Sequence, residues 1–218
     1  MTSLRYDRHE ETLALMRRAP VIPVLTVASR EDGLAQARAL VAGGLPAIEV
    51  TLRTPAALPA IRAIADEVPG AIVGAGTILD ETGMAAALAA GARFLVSPGA
   101  TRHLAEAAAA SPVPVLPGAA TASEVMALRE FGFRQMKFFP AETSGGAKAL
   151  AALAGPLGDV VFCPTGGIDL AKAPAYLALP NVACVGGSWM LPKAALAAGD
   201  YAAVEALARE AAGLARPA

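Results

Sequence analysis

Lys137 is the residue whose type and position most clearly suggest chemistry. The chain has four lysines, at positions 137, 148, 172 and 193, and Lys137 lies inside the apolar, strand-like run 135–139. Because desolvation disfavours an ammonium ion, a lysine buried there would hold a free amine, which can attack a carbonyl carbon. The alternative is a lysine that reaches from a strand end to solvent. The other three lysines fall in helical or loop segments and are expected to be solvated.

A second group of polar residues, Glu49, Thr51 and Arg53, alternates with apolar residues. Successive side chains of a strand point to opposite faces, so these three share one face and the apolar residues share the other. The apolar face must pack against helices, which turns the carboxylate, the hydroxyl and the guanidinium inward. Buried charges are costly unless they are paired or used, so a functional role is favoured over a purely structural pair of Glu49 and Arg53.

Two glycine pairs lie near the C-terminal end of the chain, in segments 164–168 (Pro-Thr-Gly-Gly-Ile) and 185–189 (Val-Gly-Gly-Ser-Trp). Glycines at such turns let backbone N–H groups approach an anion. The two pairs therefore predict a phosphate site, with tight turns alone as the alternative. Thr77 ends a Gly-Ala-Gly-Thr segment and is a candidate hydrogen-bond donor to a substrate; the alternative is a strand-end threonine with no role.

Short β-rich runs alternate with Ala-rich amphipathic segments along the whole chain, a pattern typical of βα units and a parallel sheet. Eight strands are predicted, at 21–27, 47–52, 71–78, 94–98, 113–116, 135–139, 160–164 and 182–185. Helices are predicted at 32–42, 81–90, 101–109, 121–131 and 200–214, the fourth with a capping box formed by Thr121 and Glu124.

These elements predict one α/β domain over 1–218, a closed (β/α)8 TIM barrel with an extra N-terminal helix over its base. A doubly wound open sheet is the alternative fold. In a barrel of this kind the chemistry lies at the C-terminal ends of the strands, which is where the candidate residues fall.

Composition excludes several classes of function. A net charge of −1 and a pI near 6.1 leave no broad basic surface for nucleic acid. No apolar run reaches the length of a membrane helix, and the charged start of the chain is unlike a secretory signal, so a cytoplasmic protein with small-molecule partners is expected. Cys163 and Cys184 lie in apolar strand-like runs and are expected to be buried without a disulfide.

Metal and nucleotide chemistry also lack support in the sequence. The two histidines, His9 and His103, fall outside the predicted strands, and no carboxylate cluster accompanies Glu49, so neither a metal nor another cofactor is expected. The chain contains neither a Gly-x-Gly-x-x-Gly dinucleotide turn nor a Gly-x-Ser-x-Gly elbow, which argues against hydride transfer and serine hydrolysis.

Taken together, these motifs resemble one family, the bacterial 2-keto-3-deoxy-6-phosphogluconate (KDPG) aldolases of the Entner–Doudoroff pathway. The resemblance spans nearly the whole chain and rests on segments 42–44 (Ala-Gly-Gly), 48–54 (Ile-Glu-Val-Thr-Leu-Arg-Thr), 73–77 (Val-Gly-Ala-Gly-Thr), 97–99 (Ser-Pro-Gly), 137–142 (Lys-Phe-Phe-Pro-Ala-Glu), 162–168 (Phe-Cys-Pro-Thr-Gly-Gly-Ile) and 186–189 (Gly-Gly-Ser-Trp). It implies a metal-independent homotrimer that cleaves KDPG to pyruvate and glyceraldehyde 3-phosphate, and 4-hydroxy-2-oxoglutarate to pyruvate and glyoxylate.

The resemblance also implies a role for each candidate residue. Lys137 would form the Schiff base, and Glu49 would act as the general acid and base. The substrate-binding residues would be Arg53 and Thr77 at the pyruvate carboxylate, Pro98 and Phe139 along the pocket wall, and Thr165, Gly166, Gly167, Gly187 and Ser188 at the phosphate end.

Three other interpretations remain open at this point. A phosphate-binding barrel isomerase or epimerase would share the glycine turns and Glu49 but would not need Lys137 as a nucleophile. A non-catalytic barrel would only bind a phosphorylated metabolite or a protein partner. The aldolase could also act on the galactonate epimer of the substrate, since the sequence does not fix the preferred configuration at C4.

Overall fold

The computed structural model describes residues 5–215, in which strands and helices alternate along the chain. The strands are β1 (Val21–Leu25), β2 (Ala47–Thr51), β3 (Ile72–Gly76), β4 (Leu95–Val96), β5 (Val115–Leu116), β6 (Gly118–Ala119), β7 (Gln135–Phe138), β8 (Val161–Pro164) and β9 (Val185–Gly187). The helices are α1 (His9–Met16), α2 (Arg30–Ala42), α3 (Ala57–Glu67), α4 (Glu81–Ala89), α5 (Arg102–Ala109), α6 (Ala122–Glu130), α7 (Gly146–Ala154), α8 (Ala173–Leu177), α9 (Lys193–Ala198) and α10 (Tyr201–Ala212).

The prediction of one closed eight-stranded barrel was wrong. The strands form two separate sheets, a curled six-stranded sheet in the order β5-β4-β3-β2-β1-β9 and a three-stranded sheet in the order β6-β7-β8. All strand pairs in both sheets are parallel, as the alternation of strands and helices predicted. The eight predicted strands each overlap a strand of the structure, but the ladder between them is interrupted in two places.

One of the two interruptions has a local cause. The fifth predicted strand is split by Pro117 into β5, which pairs with β4, and β6, which pairs with β7. Proline has no backbone N–H to donate, so a ladder cannot continue through it unbroken. At the other junction, within the described residues, β8 and the β9 region are joined by two isolated bridges, Phe162 with Val182 and Thr165 with Gly186.

The hydrophobic core has two layers, one on each face of the sheets. The outer layer packs strand residues such as Ile48 and Val50 against the helices. The inner layer gathers side chains from both sheets, among them Ala47 and Cys163, into one buried cluster. The two sheets therefore face each other around a shared interior.

The N-terminal helix α1 closes one end of this interior. Its residues Leu15 and Met16 are buried in the inner cluster, and His9 hydrogen-bonds through Nδ1 to Oε1 of Gln135, the first residue of β7, at 3.0 Å. An extra helix at the N-terminal ends of the strands was expected from the sequence. The first four residues of that predicted helix lie outside the described residues.

Two local predictions, the capping box and the buried cysteines, are confirmed. Helix α6 begins with a capping box, in which the Thr121 hydroxyl accepts from the backbone N–H of Glu124 and the Glu124 carboxylate accepts from the backbone N–H of Thr121. Cys163 and Cys184 are buried and form no disulfide. Over residues 5–215, no helix is both long enough and apolar enough to cross a bilayer.

Candidate active site

The candidate residues converge at the C-terminal ends of the strands. Lys137 lies in β7, Glu49 lies in β2, and Thr77 follows β3 directly. Phe139 follows β7 and Thr165 follows β8 in the same way. Because the strands within each sheet are parallel, their C-terminal ends meet at one edge of the molecule.

Lys137 and Glu49 form a buried pair across the two sheets. The Lys137 Nζ atom lies 3.2 Å from Glu49 Oε1 and donates a hydrogen bond to it. The side chains are only 5% and 4% exposed, respectively, so the pair is nearly closed off from water. Nζ also lies 5.2 Å from the centroid of the Phe139 ring. A proton can pass between the amine and the carboxylate along this contact, which leaves the amine able to act as a nucleophile.

Strand β3 makes room for the Glu49 carboxylate. A Cβ atom placed on Gly76 would lie 2.0 Å from Glu49 Oε1, and one placed on Gly74 would lie 2.5 Å from the Phe94 ring. Any side chain at Gly76 would therefore push the carboxylate out of its place beside Lys137. This packing requires the two glycines of β3.

Arg53 does not share the face of β2 as the alternation pattern predicted. The strand ends at Thr51, whose hydroxyl donates to the backbone oxygen of Leu25 at 2.7 Å, and Arg53 lies in the turn beyond it. Its side chain is exposed, and among the described residues it has neither a salt-bridge partner nor a hydrogen-bond acceptor. This leaves its guanidinium available to an anionic ligand at the same edge as Lys137.

Thr77 has an unusual backbone conformation for a β-branched residue. Its φ angle is 61°, in the left-handed region where branched side chains are strained. Such strain persists only where the surrounding structure imposes it, and it is frequent at ligand sites. Thr77 is partly buried at the end of β3, next to the strand that carries Glu49.

Pro98 and Phe139 both lie just after strands and are half-buried. The Phe139–Pro140 peptide bond is cis. The Phe139 ring lies beneath the Lys137 amine. The structure thus brings an apolar side chain to the position where a pocket wall was expected.

The turn after β8 presents a row of free backbone N–H groups. The carbonyl oxygen of Thr165 accepts from the N–H of Ala141 at 2.8 Å, and that of Gly166 accepts from the N–H of Glu142 at 3.1 Å. The carbonyl oxygen of Gly167 accepts from Lys172 Nζ at 2.7 Å.

In a trans peptide the C=O and N–H groups point in opposite directions. The N–H groups of Gly166, Gly167 and Ile168 are therefore directed away from these partners. The N–H of Gly166 faces Gly186 across the bridge between Thr165 and Gly186, and no acceptor for the N–H groups of Gly167 and Ile168 is present in residues 5–215. The φ angles of Gly166 and Gly167 are 106° and 77°, values that favour glycine. Successive free N–H groups in such a turn form an anion-binding concavity.

The second glycine turn lies beside the first. The bridge between Thr165 and Gly186 joins the two turns, and a Cβ atom on Gly186 would lie 2.2 Å from the Thr165 hydroxyl. Gly187 is buried under the Trp189 ring, whereas Ser188 is exposed at the tip of the turn. The structure thus brings the five residues assigned to the phosphate end into one neighbourhood.

Sequence reasoning missed two residues of this neighbourhood, Glu142 and Lys172. Lys172 is exposed, as expected, and its amine also donates to the Gly167 carbonyl and lies 3.3 Å from Glu142 Oε2. Its spacing from the glycine pair matches no motif that would have revealed this. Over the described part of the chain, no three His, Cys, Asp or Glu side chains form a group able to hold a metal ion.

Comparison with known proteins shows the family of the chain. Residues 13–207 match the family "KDPG and KHG aldolase". The KHG/KDPG aldolase of Escherichia coli (strain K12) is 52% identical over 198 residues, which are 91% of this chain and 93% of that protein.

Two solved structures are also similar over most of their length. KDPG aldolase from Legionella pneumophila, with pyruvate captured at low pH as a covalent carbinolamine intermediate, is 42% identical with a TM-score of 0.90, covering 93% of this chain and 98% of that one. The 2-keto-3-deoxy-6-phosphogluconate aldolase of Zymomonas mobilis ZM4 with 3-phosphoglycerate is 49% identical with a TM-score of 0.88, covering 93% and 95%. The chain therefore belongs to the KDPG and KHG aldolase family.

Proposed function

We propose that this chain is a lysine-dependent aldolase that cleaves KDPG to pyruvate and glyceraldehyde 3-phosphate. It also cleaves 4-hydroxy-2-oxoglutarate to pyruvate and glyoxylate. The observation that carries the proposal is the buried contact of Lys137 Nζ with Glu49 Oε1 at 3.2 Å. The names of the relatives support the same two substrates.

The mechanism follows from this pair. The Lys137 amine adds to the C2 ketone, and loss of water gives an iminium ion that serves as an electron sink. Glu49 takes the proton of the C4 hydroxyl as the C3–C4 bond breaks, and the bonding electrons pass into the iminium to form an enamine. The aldehyde leaves, C3 is protonated, and hydrolysis releases pyruvate and the free lysine. Positioned proton transfer of this kind contributes about 10²–10⁴-fold in rate.

The remaining residues bind the two ends of the substrate. Arg53 and Thr77 hold the pyruvate carboxylate, for which the exposed and unpaired guanidinium of Arg53 is suited. Pro98 and Phe139 line the pocket between them. The phosphate end is held by Thr165, Gly166, Gly167, Gly187 and Ser188, supported by the free N–H groups of the first glycine turn. The Zymomonas mobilis relative with 3-phosphoglycerate is consistent with a phosphorylated ligand in this family.

Three further properties remain predictions. They are a homotrimeric state, a cytoplasmic location, and a single domain that spans residues 1–218. Sedimentation at several protein concentrations tests the first of them, and a monomer at all concentrations would contradict it.

Borohydride trapping tests the central proposal. Incubation with pyruvate and borohydride should attach one reduced pyruvate to each chain at Lys137, because borohydride converts an iminium to a stable secondary amine. An isomerase that acts by proton abstraction alone, or a binding protein, would not be trapped. Lys137→Arg should abolish both trapping and cleavage, since a guanidinium is no nucleophile at neutral pH.

Lys193→Arg is the matched control, because this lysine is exposed on α9, and it should behave like the wild type. Pyruvate release is measured in parallel with KDPG, its galactonate epimer and 4-hydroxy-2-oxoglutarate. An adduct mapped to another lysine, or an active enzyme without any adduct, would overturn the mechanism.

A further inference from the structure

Glu142 lies behind the first glycine turn and touches it in two ways. Its backbone N–H donates to the Gly166 carbonyl, and its side chain packs against Gly167, where an added Cβ would lie 2.8 Å from Glu142 Cγ. The carboxylate itself is held from two sides. The Tyr176 hydroxyl donates to Oε1, and the Lys172 amine lies 3.3 Å from Oε2.

Lys172 completes the contact with the turn. Its amine donates to the Gly167 carbonyl at 2.7 Å and lies 3.6 Å from Asp169 Oδ2. The same amine thus links the Glu142 carboxylate to the peptide whose other end is the N–H of Ile168. Since that N–H must point away from the carbonyl, the position of Lys172 fixes the direction of a donor at the front of the turn.

Tyr176 is 1% exposed, and it anchors this arrangement to helix α8. Burial and the adjacent Glu142 carboxylate raise the pKa of Tyr176, so the hydroxyl stays protonated and remains a donor. The three side chains form a chain of contacts from α8 through Glu142 to the glycine turn.

We propose that Glu142, Lys172 and Tyr176 are positioning residues for the phosphate end of the substrate. The Glu142 backbone N–H and the Lys172 amine hold the Gly166 and Gly167 carbonyl groups from behind, and Tyr176 holds the Glu142 carboxylate. This arrangement directs the free N–H groups of the turn at the phosphate. The inference rests on the proposed aldolase function and adds to it the support of the phosphate turn. The three residues do not touch the reacting atoms.

The direction in which Glu142→Gln changes KM for KDPG distinguishes a positioning role from direct repulsion between the Glu142 carboxylate and the phosphate. A carboxylate near a phosphate repels it, so removing the negative charge would by itself strengthen binding of KDPG. Loss of positioning predicts the opposite, because Lys172 loses a charged partner and the turn loses its fixed orientation. We expect KM for KDPG to rise about tenfold, the size of one lost hydrogen bond to a charged group.

The matching substrate control is 4-hydroxy-2-oxoglutarate, which has no phosphate. Its KM and kcat should stay at wild-type values in Glu142→Gln, Lys172→Met and Tyr176→Phe, and trapping of pyruvate on Lys137 should do so as well. Lys172→Met should raise KM for KDPG by a similar factor, and Tyr176→Phe should change it in the same direction by less. Lys148→Met removes one charge from the exposed face of α7 and should leave all three measurements unchanged.

The outcomes separate the two proposals. Wild-type protein that neither cleaves KDPG nor forms an adduct on Lys137 would refute the aldolase function. If the wild type is active, the positioning role alone would be refuted by a Glu142→Gln variant in which KM for KDPG, divided by KM for 4-hydroxy-2-oxoglutarate, is unchanged or lower than in the wild type. Equal losses with both substrates in Glu142→Gln and Tyr176→Phe would also refute it, since they would indicate a general structural role.

Discussion

At the scale of single residues, the site depends on how each charge is surrounded. Lys137 and Glu49 are buried and paired with each other, whereas Arg53 is exposed and has no acceptor in the described structure. A buried pair is held in one geometry, which suits proton transfer and nucleophilic attack. An exposed guanidinium can meet a ligand carboxylate in a bidentate manner.

Arg53→Lys should weaken pyruvate binding about tenfold, because a lysine offers a point charge in place of the planar fork. The measurement is the pyruvate concentration that gives half-maximal borohydride trapping. Arg38→Lys, an exposed substitution on α2, is the control and should have no effect. An unchanged half-maximal concentration in Arg53→Lys would assign Arg53 to another role.

The sequence singled out both Lys137 and Glu49 because strand periodicity and amino-acid type are local properties. A lysine within an apolar strand and a carboxylate on the inner face of another strand are visible without coordinates. Arg53 was placed wrongly because the strand ends two residues earlier than its polar alternation. Lys172 and Glu142 were missed because their contacts join segments 30 residues apart, and no periodic pattern encodes such a contact.

At the scale of elements, the glycines of β3 decide where the Glu49 carboxylate can lie. Gly76→Ala should displace this carboxylate from Lys137, since the new methyl group would lie 2.0 Å from Oε1. We expect kcat to fall by about 10²-fold, the lower end of what positioned proton transfer contributes. The measurement is steady-state pyruvate release with saturating KDPG.

Gly155→Ala is the matched control for that substitution. Gly155 ends helix α7 with φ of −64°, and an added Cβ would meet nothing within 4 Å. The kcat of the Gly155→Ala variant should equal that of the wild type. Wild-type kcat in Gly76→Ala would show that the close approach of β3 to Glu49 has no catalytic importance.

The capping box of α6 gives a pH-dependent contribution to stability. The backbone N–H of Ala120, which donates to the Glu124 carboxylate, holds the pKa of Glu124 below its usual value. A group whose pKa is lowered by folding stabilises the fold above its unfolded pKa, and this contribution is lost as the pH falls through the folded pKa. Glu124→Ala should therefore destabilise the protein at pH 7 and have less effect in acid.

Urea unfolding at pH 7, and at the lowest pH at which the protein stays folded, measures this difference. Thr101→Ala is the comparison, because the Thr101 hydroxyl accepts from the backbone N–H of Leu104 at the start of α5 and neither group titrates, so this substitution should cost about 1 kcal/mol at both pH values. If Glu124→Ala cost the same at both pH values, the carboxylate charge would not contribute to the cap.

At the scale of the whole molecule, the sequence predicted the parallel strands but not the way they join. The order of strands and helices indicates a parallel sheet because each βα unit repeats the same local pattern. Closure of the strands into one barrel depends on backbone hydrogen bonds at two junctions, one between β5 and β6 and the other between β8 and β9. Pro117 removes a donor at the first of them. Counting strands could not reveal where the ladder would be interrupted.

The chemistry of the molecule should not depend on a metal ion. Its proposed electron sink is the iminium on Lys137, so exhaustive dialysis against EDTA should leave kcat and KM for KDPG unchanged. Activity is measured before and after dialysis, with added Mg²⁺, Mn²⁺ or Zn²⁺ as the comparison. Loss of activity that a divalent ion restored would contradict a mechanism that uses lysine alone.

The position of β9 has a consequence for how the protein is made. This strand pairs with β1, so the six-stranded sheet joins the first and last strands of residues 5–215. The ribosome releases a chain from its N-terminus, and residues 185–187 emerge long after Glu49 and Lys137 have done so. A nascent chain therefore carries both candidate site side chains while this sheet is still incomplete. The sheet that holds Glu49 can be completed only after residues 185–187 have been translated.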